Sequence, residues 1–400
     1  MNTKLNILVS GASIAGPAAA YWLHRTGHTV TLIERNKKLR TAGQNVDVRG
    51  TGRDVLRRMN LENEVLARNT GEIGTRFVDD DGRILWEIPA GQTDSDGATA
   101  EVEILRGELS KTLLAALSEG VAVRFGTRMT RVSQDDDGVV VILNNDEERR
   151  YDLVVIAEGT RSSTRRMVFG EVPTNPLGLY TAYGTIPRGE DDNRYWNWYT
   201  ATRGRSVTVR PDNTGTTRVA LSFLSGPMGY EDLSMDQQKK VLVDRFADLG
   251  WQVPRILAGV ADTTELYFDY LTQVFAPTYA QGRVVLLGDA AWCATPVSGR
   301  GTTLALTGAY VLAGELSSDS SISASLRAYQ GQMQAFVGDA HKLPPGTPRL
   351  AHPKTIFGVA ALRALLRTAG SRPVRALVDR LPSQQPAAQQ LIRYRALHRE

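Results

Sequence analysis

A single cysteine, Cys293, stands among 400 residues. One cysteine excludes an intrachain disulfide and any multi-cysteine metal site, and a reducing cytosol is the expected compartment. Charge of one sign is equally short, because 47 Lys and Arg face 43 Asp and Glu for a net of +4, with no basic block of the kind that holds nucleic acid. No nucleic-acid partner is expected. Only five histidines are present. His24 and His28 stand at the spacing of a helical metal pair, but Gly27 lies between them and no third ligand is near in sequence, so no metal site is expected. Long apolar runs are missing too, since nothing approaches the roughly 20 uninterrupted apolar residues of a membrane-spanning helix. Lys4, the apolar run after it and Ala18-Ala19-Ala20 have the outline of a secretory signal, yet a strand, a turn and a helix explain the same residues better. Neither an internal repeat nor a low-complexity tract interrupts the chain.

What is present is an ordinary globular composition, 42% hydrophobic, enough to core one large domain or two that share an interface. LNILVS at 5–10 reads as a strand, residues 11–16 as a glycine-bearing turn, and PAAAYWLHRTG at 17–27 as a helix closed by Gly27. TVTLI at 29–33, ending on Glu34, completes a β-α-β unit of about 30 residues, the opening of a dinucleotide-binding fold. VAVRF (121–125) and GVVVIL (138–143) predict hairpin strands. YDLVVIAEG (151–159) predicts a buried parallel strand, and RVVLLGDAA (283–291) repeats its pattern. Between them LYTAYGTI (179–186), TRVALSFL (217–224) and ELYFDYL (265–271) alternate and carry aromatics, which predicts an inserted antiparallel sheet. The fold class is therefore α/β, with a discontinuous Rossmann-like domain at 1–70, 99–170 and 275–342 and a substrate domain at 71–98 and 171–274. Leu343 to Pro353 carries four prolines and reads as a linker. A C-terminal helical segment at 354–400 follows, and within it IFGVAALRALLRTAG (356–370) is an amphipathic basic helix. We expect this helix to pack back across the body, with attachment to a membrane surface as the alternative.

The chemistry concentrates in two glycine-rich turns. Gly11-Ala12-Ser13-Ile14-Ala15-Gly16 matches the G-x-G-x-x-G fingerprint at its first and third glycines, with Ser13 at the middle position where pyrophosphate approaches the backbone. Glu34 follows about 20 residues on, where a carboxylate accepts hydrogen bonds from a ribose hydroxyl. The second turn runs Gly288-Asp289-Ala290-Ala291-Trp292-Cys293-Ala294-Thr295-Pro296-Val297-Ser298-Gly299-Arg300-Gly301. Asp289 ends a strand and can bond a polyol hydroxyl, Pro296 makes a bend, and Gly299 and Gly301 let the next helix, beginning at Thr302, approach a flat ring edge-on. The positive end of that helix suits negative charge on such a ring. Cys293 reads as a small buried residue beside this turn rather than a nucleophile.

These residues resemble the single-component flavoprotein aromatic hydroxylases, whose prototype hydroxylates p-hydroxybenzoate. Three family motifs occur in order and cover nearly the whole chain: the Gly11–Gly16 turn with Glu34-Arg35, the usual D-G-x-x-S-x-x-R as Glu158-Gly159-Thr160-Arg161-Ser162-Ser163-Thr164-Arg165, and the Gly288-Asp289 run. More narrowly, AYWLHRTG, GQNVDVRG, VEILRGEL and GAYVLAGEL look like the tetracycline-inactivating branch. The chain departs from the family with Glu158 for Asp and with Trp292, Arg300 and Thr303 for the commoner His, Gln and Asn.

The resemblance implies a Rossmann-like FAD-binding domain of the GR2 type, with FAD as the cofactor and NADPH or NADH as the reductant. NAD(P)H would reduce the flavin, O2 would add to it as a hydroperoxide, and a bulky phenolic or enolic polycycle, a tetracycline or another aromatic polyketide, would take one oxygen atom. It implies that Arg106 reaches the ribityl and phosphate region, that Asp47 and Arg49 lie where the chain passes the flavin ring, and that Arg49 faces the pocket. The second motif, through Glu158 and Arg165, would serve both FAD and NAD(P)H, and Arg40, an arginine seven residues before Asp47, would contact NADPH. Since the flavin carries the chemistry, no catalytic His/Asp/Ser constellation is expected. A monomer or weak dimer in the cytoplasm completes the expectation. Trp196-Asn197-Trp198 partly matches the W-x-W-x-I-P element of flavin-dependent halogenases, but the Ile-Pro is absent; a strand with its Trp pair and the Tyr195/Tyr199 pair on opposite faces is the simpler reading, one pair walling the pocket. A fold relative that binds without turnover and a plain NAD-dependent dehydrogenase are the competing classes.

Overall fold

A computed structural model of the chain describes residues 4–40, 44–90, 102–318, 320–343, 345–369 and 390–398. Expectations for the remaining residues, among them 91–101 and 370–389, lie outside the described residues. Apolar runs from both halves of the chain assemble a six-stranded sheet in the order Ala280–Gln281, Val284–Leu286, Leu153–Ile156, Asn6–Ser10, Thr29–Glu34 and Ala122–Phe125. All neighbours are parallel except the first pair. Leu153 to Ile156 and Ile7 to Val9 are fully buried, as strands covered on both faces must be. Helix Ala15–Arg25 packs on one face beside helix Gly301–Leu316, where Trp22 meets Tyr310 edge-on at 5.2 Å.

The helix expected from residue 17 begins at Ala15, inside the glycine turn. Gly16 is therefore a helical residue, and a Cβ there would lie 1.8 Å from the Gly11 carbonyl oxygen. The expected hairpin of VAVRF and GVVVIL is corrected. Ala122–Phe125 joins the large sheet in parallel beside Thr29–Glu34, whereas Val139–Leu143 pairs antiparallel with Met129–Gln134 and Glu148–Tyr151. Alternation alone does not say which partner a strand takes; here Asp146, at φ 63, turns the chain back between Val139–Leu143 and Glu148–Tyr151.

The middle of the chain forms a seven-stranded sheet in the order Leu266–Val274, Thr174–Pro187, Thr216–Leu224, Arg205–Pro211, Tyr195–Ala201, Gly74–Val78 and Ile84–Pro89. It is antiparallel but for one pair, since Gly74–Val78 runs parallel to Tyr195–Ala201. Helices Met235–Phe246 and Val253–Asp262, which the alternating pattern did not announce, cover its outer face through Leu242, Phe246, Ile256 and Val260. The apolar cores of the two sheets are separate clusters. Beyond Pro353, helix Ile356–Ala369 packs back on strand Ile84–Pro89 as expected. Arg363 pins it to Asp80 at 2.6 and 2.9 Å, and Arg203 and Gly204 donate backbone N–H groups to Lys354 and Pro353.

Candidate active site

A cavity of about 1650 Å³ opens between the glycine turns of the parallel sheet and the inner face of the seven-stranded sheet. At one end lies the first turn. Gly11 adopts φ +109 and donates its N–H to the Ile33 carbonyl at 2.8 Å, and a Cβ on it would fall 2.3 Å from the Ala157 oxygen. Only glycine satisfies both the dihedral and the approach. Ser13 and Ala15 line the cavity just beyond. Glu34, at the end of its strand, is held by the Ala12 N–H at 3.0 Å and by the Asn36 N–H and side-chain amide at 2.9 and 2.7 Å. Arg106, at the start of helix Arg106–Ala115, donates to the Ser13 hydroxyl at 2.9 Å.

The second turn faces the first. Gly288, at φ 64, hands strand Val284–Leu286 to the short helix Asp289–Trp292, with the Ala15 methyl only 3.0 Å from where its own Cβ would stand. Burial pushes the Asp289 carboxyl up, against a hydrogen bond from the Cys293 thiol and the Arg106 charge. Burial also pushes the Cys293 thiol up, so it stays protonated, as its sequence reading requires. Pro296, Gly299, Gly301 and Thr302 line the cavity, and Cβ atoms on Gly299 and Gly301 would project within 4 Å of Asp47 and Asp289. Neither helix Ala15–Arg25 nor helix Gly301–Leu316 has a side-chain cap or an acidic residue in its first turn. Their unpaired N–H groups and positive ends both point at the cavity, which suits an anionic, planar cofactor. The residues present therefore fit a dinucleotide with a flat ring.

Asp47 and Arg49 pair at 3.0 Å on the wall, and Thr303 clamps Arg49 by accepting from its N–H and donating to its carbonyl, both at 3.1 Å. This clamp is what threonine does at a position usually held by asparagine. Arg35 and Arg40 are exposed at the rim, with the Arg40 guanidinium 5.2 Å from the Tyr267 ring centre. The second motif straddles the cavity wall. Glu158 touches the cavity, but its carboxylate accepts from Ser10 and Ser162 at 2.6 Å and from the Thr164 hydroxyl and N–H at 2.7 and 3.3 Å. Arg165 is buried off the wall, donating to the carbonyls of Ala290 and Thr160 at 2.9 and 2.7 Å. Gly16 and Gly288 likewise sit behind the lining.

A family model for the FAD binding domain matches residues 4–338. The chain belongs to that family. A flavin-dependent monooxygenase of Legionella longbeachae is 34% identical over 341 residues, covering 84% of this chain and 87% of its own. The flavin-dependent monooxygenase eupH of Phoma sp is 34% identical over 395 residues, covering 91% of each. Among solved structures, tetracycline destructase Tet(51) superposes with a TM-score of 0.78 at 32% identity over 95% of both chains. The protein thus stands among the flavin-dependent monooxygenases and binds FAD in the fold they share.

The roof of this monooxygenase cavity was only partly foreseen. Trp196 and Trp198 face inward as one of the two expected pairs, while Tyr199 turns away to bond Asp80 at 2.7 Å. Sequence reasoning missed Arg210, buried under Trp196 with its charge centre 4.3 Å from the ring and paired with Glu72 at 2.9 Å and with Glu103. It also missed Tyr183, stacked on Tyr267 at 6.0 Å, and Ser206, bonded to His352 at 2.9 Å. Alternation marked those strands, and counting inward positions from Trp196 and Trp198 would have found Arg210 and Ser206 through the sheet register.

Proposed function

We propose that the protein uses NADPH or NADH and O2 to insert one oxygen atom into a bulky phenolic or enolic polycycle, a tetracycline or another aromatic polyketide. The observation that carries this reading is the single cavity of about 1650 Å³ shared by the glycine turns and an aromatic, arginine-bearing sheet face. It exceeds the roughly 300–1,000 Å³ of a pocket for one small ligand, which leaves room for a flat polycycle beside the cofactor.

In this reading Gly11, Ser13 and Ala15 with the following helix hold the pyrophosphate, Glu34 and Arg35 the adenosine end, Arg106 and Asp289 the ribityl chain, and Asp47 with Pro296, Gly299, Gly301 and Thr302 the ring. Bound FAD supplies the transfer of electrons from the nicotinamide to O2. The chain supplies placement and exclusion of water, with Trp196, Trp198 and Tyr183 offering flat apolar faces to the substrate and Arg49 and Arg210 fixed charge. For the nicotinamide nucleotide we favour Arg40, which is at the rim; Glu158 and Arg165 support the turn from behind. We place the enzyme in the cytoplasm as a monomer or weak dimer. Among the described residues no helix is long and apolar enough to cross a membrane.

The test is to supply the purified protein with FAD and NADPH, follow NADPH oxidation with and without tetracycline, and weigh the product. Acceleration with gain of one oxygen atom supports the reading. Absence of any substrate-stimulated oxidation across tetracycline and other phenolic polyketides overturns it in favour of a binding protein.

A further inference from the structure

Seven carboxylates line the cavity among the described residues, and six of them are already committed, by charged partners, by several hydrogen bonds or by a place at the cofactor end. Glu34 and Glu158 each accept at least three hydrogen bonds from their own turns. Asp47 and Glu103 are paired with Arg49 and Arg210, and Asp339 with Lys342 at 2.8 Å. Asp289 takes the Cys293 thiol proton as its hydrogen bond at the foot of helix Gly301–Leu316. The exception is Asp269. It stands on the edge strand Leu266–Val274 with Tyr267 and Leu271 on the same inward face, opposite Thr181 of the next strand. Its hydrogen bond comes from the Tyr267 phenol at 3.3 Å, through one oxygen, and the residue lines the cavity.

We propose that Asp269 is a catalytic base, taking the hydroxyl proton of the phenolic or enolic substrate as the neighbouring carbon receives its oxygen atom. This rests on the hydroxylase reading above. In the step the substrate O–H bond breaks, its electron pair stays on the substrate and flows toward the carbon that forms the new C–O bond, and the proton forms an O–H bond on the Asp269 carboxylate. The C–O bond forms as the O–O bond of reduced O2 breaks, one oxygen atom passing to the carbon and the other leaving as water; the two electrons come from the nicotinamide, as that reading supplies them, and the carbon then gives up its hydrogen as a proton. Tyr267 keeps the carboxylate oriented.

The surroundings suit a base near neutrality. Tyr267 faces Asp269 from its own strand, Tyr183 from the adjacent strand, Arg161 from the turn after Leu153–Ile156, Asp289 and Cys293 from the second glycine turn, and Glu231 from the turn Tyr230–Asp232. Burial pushes the Asp269 carboxyl up to about 6, with the Arg161 charge and the Tyr267 hydrogen bond opposing and Asp289 and Glu231 reinforcing. Arg161 is itself paired outward with Asp232 at 2.7 Å, so it does not neutralise the carboxylate. A carboxylate of this kind is ionised at neutral pH and still basic enough to take a proton in the transition state.

The experiment compares wild type, Asp269→Asn and Asp269→Glu, each loaded with FAD and matched in flavin absorbance and Tm, from about pH 5 to about pH 8 around the titration of such a base. Tetracycline and the polycyclic phenol alizarin are the probes, and oxygenated product is measured separately from NADPH oxidation. Wild-type product formation should fall as pH drops through about 6. Asp269→Asn should lose that acid limb and form product roughly 10²–10⁴-fold more slowly, while NADPH oxidation continues uncoupled. Asp269→Glu should keep the limb. A wild-type rate and an unchanged acid limb in Asp269→Asn overturn the proposal and leave the hydroxylase reading standing. An Asp269→Glu variant that folds with FAD but shows no limb also overturns it. No oxygenated product from wild type with either probe removes the hydroxylase reading, and this proposal with it.

Discussion

Arg106 donates to the hydroxyl of Ser13, 93 positions earlier in the chain, at 2.9 Å. The serine that replaces the middle glycine of the fingerprint is thus the point where the first turn is tied to helix Arg106–Ala115. Removing the guanidinium takes a buried cation from the phosphate end of the cavity. Arg106→Ala should weaken FAD binding by about 10- to 100-fold, which corresponds to about 1.4–2.8 kcal/mol and to the usual worth of a charge-assisted contact. Ser13→Gly should cost less than about tenfold, since the backbone N–H groups of the turn remain. Flavin fluorescence titration measures both, and wild-type affinity in Arg106→Ala would remove that residue from the cofactor site.

Glu158 makes a different claim. Its carboxylate gathers Ser10, Ser162 and Thr164, all buried, and so ties the end of strand Asn6–Ser10 to the start of helix Ser163–Phe169. Glu158→Ala leaves these donors without partners and should lower stability by on the order of 3 kcal/mol. The KM for NADPH should stay within a few-fold of wild type. Urea unfolding and steady-state kinetics separate the two effects, and a large rise in KM with unchanged stability would return Glu158 to the nicotinamide site.

The cofactor end was legible because it rests on backbone demands that only certain residues meet. Gly11, at positive φ and against the Ala157 carbonyl, and Asp289, opening the short helix just after a parallel strand, announce themselves at fixed offsets from apolar runs. The substrate end was not legible, because it is assembled by register. Asp269, Thr181, Ser222 and Ser206 become neighbours only when four strands pair, and nothing in the local pattern orders those strands. For the same reason Ala122–Phe125 was matched with the wrong partner. His352 escaped notice because it belongs to a proline-rich stretch whose path depends on tertiary contacts.

Trp292 is a departure that the packing explains. It is 1% exposed, edge-on to Tyr279 at 4.8 Å, beside Tyr329 at 6.1 Å and against Gly308, where an added Cβ would come within 2.9 Å of its ring. Trp292→His, the commoner family residue, would leave a void and a polar ring among aromatics. The expected loss is about 3 kcal/mol, within the range for emptying a buried tryptophan site. FAD content at saturating flavin should be unchanged. A thermal melt with flavin quantification checks this, and a variant as stable as wild type would show that the site collapses around histidine.

His352 sets the acid behaviour of the far end of the cavity. It is 5% exposed, and its neutral ring donates from Nδ1 to the Pro348 carbonyl and accepts at Nε2 from the Ser206 hydroxyl, both at 2.9 Å. Burial pulls its pKa below the ordinary value of 6.5, with the Pro348 bond opposing. The unfolded chain therefore takes up this proton first as pH falls. Stability contributed by the neutral ring is complete above pH 6.5 and is lost below it, until the depressed folded value is reached. Buried His28 and half-buried His341 shift the same way and add to the loss, whereas Asp269, raised to about 6, acts with the opposite sign and offsets part of it. His352→Asn keeps hydrogen-bonding groups at the site but removes the titration. Its unfolding free energy should fall less steeply than that of wild type as pH drops below 6.5, by up to about 1.4 kcal/mol per pH unit. Urea melts at matched pH values measure the two slopes, and parallel slopes would show that His352 is protonated in the folded protein.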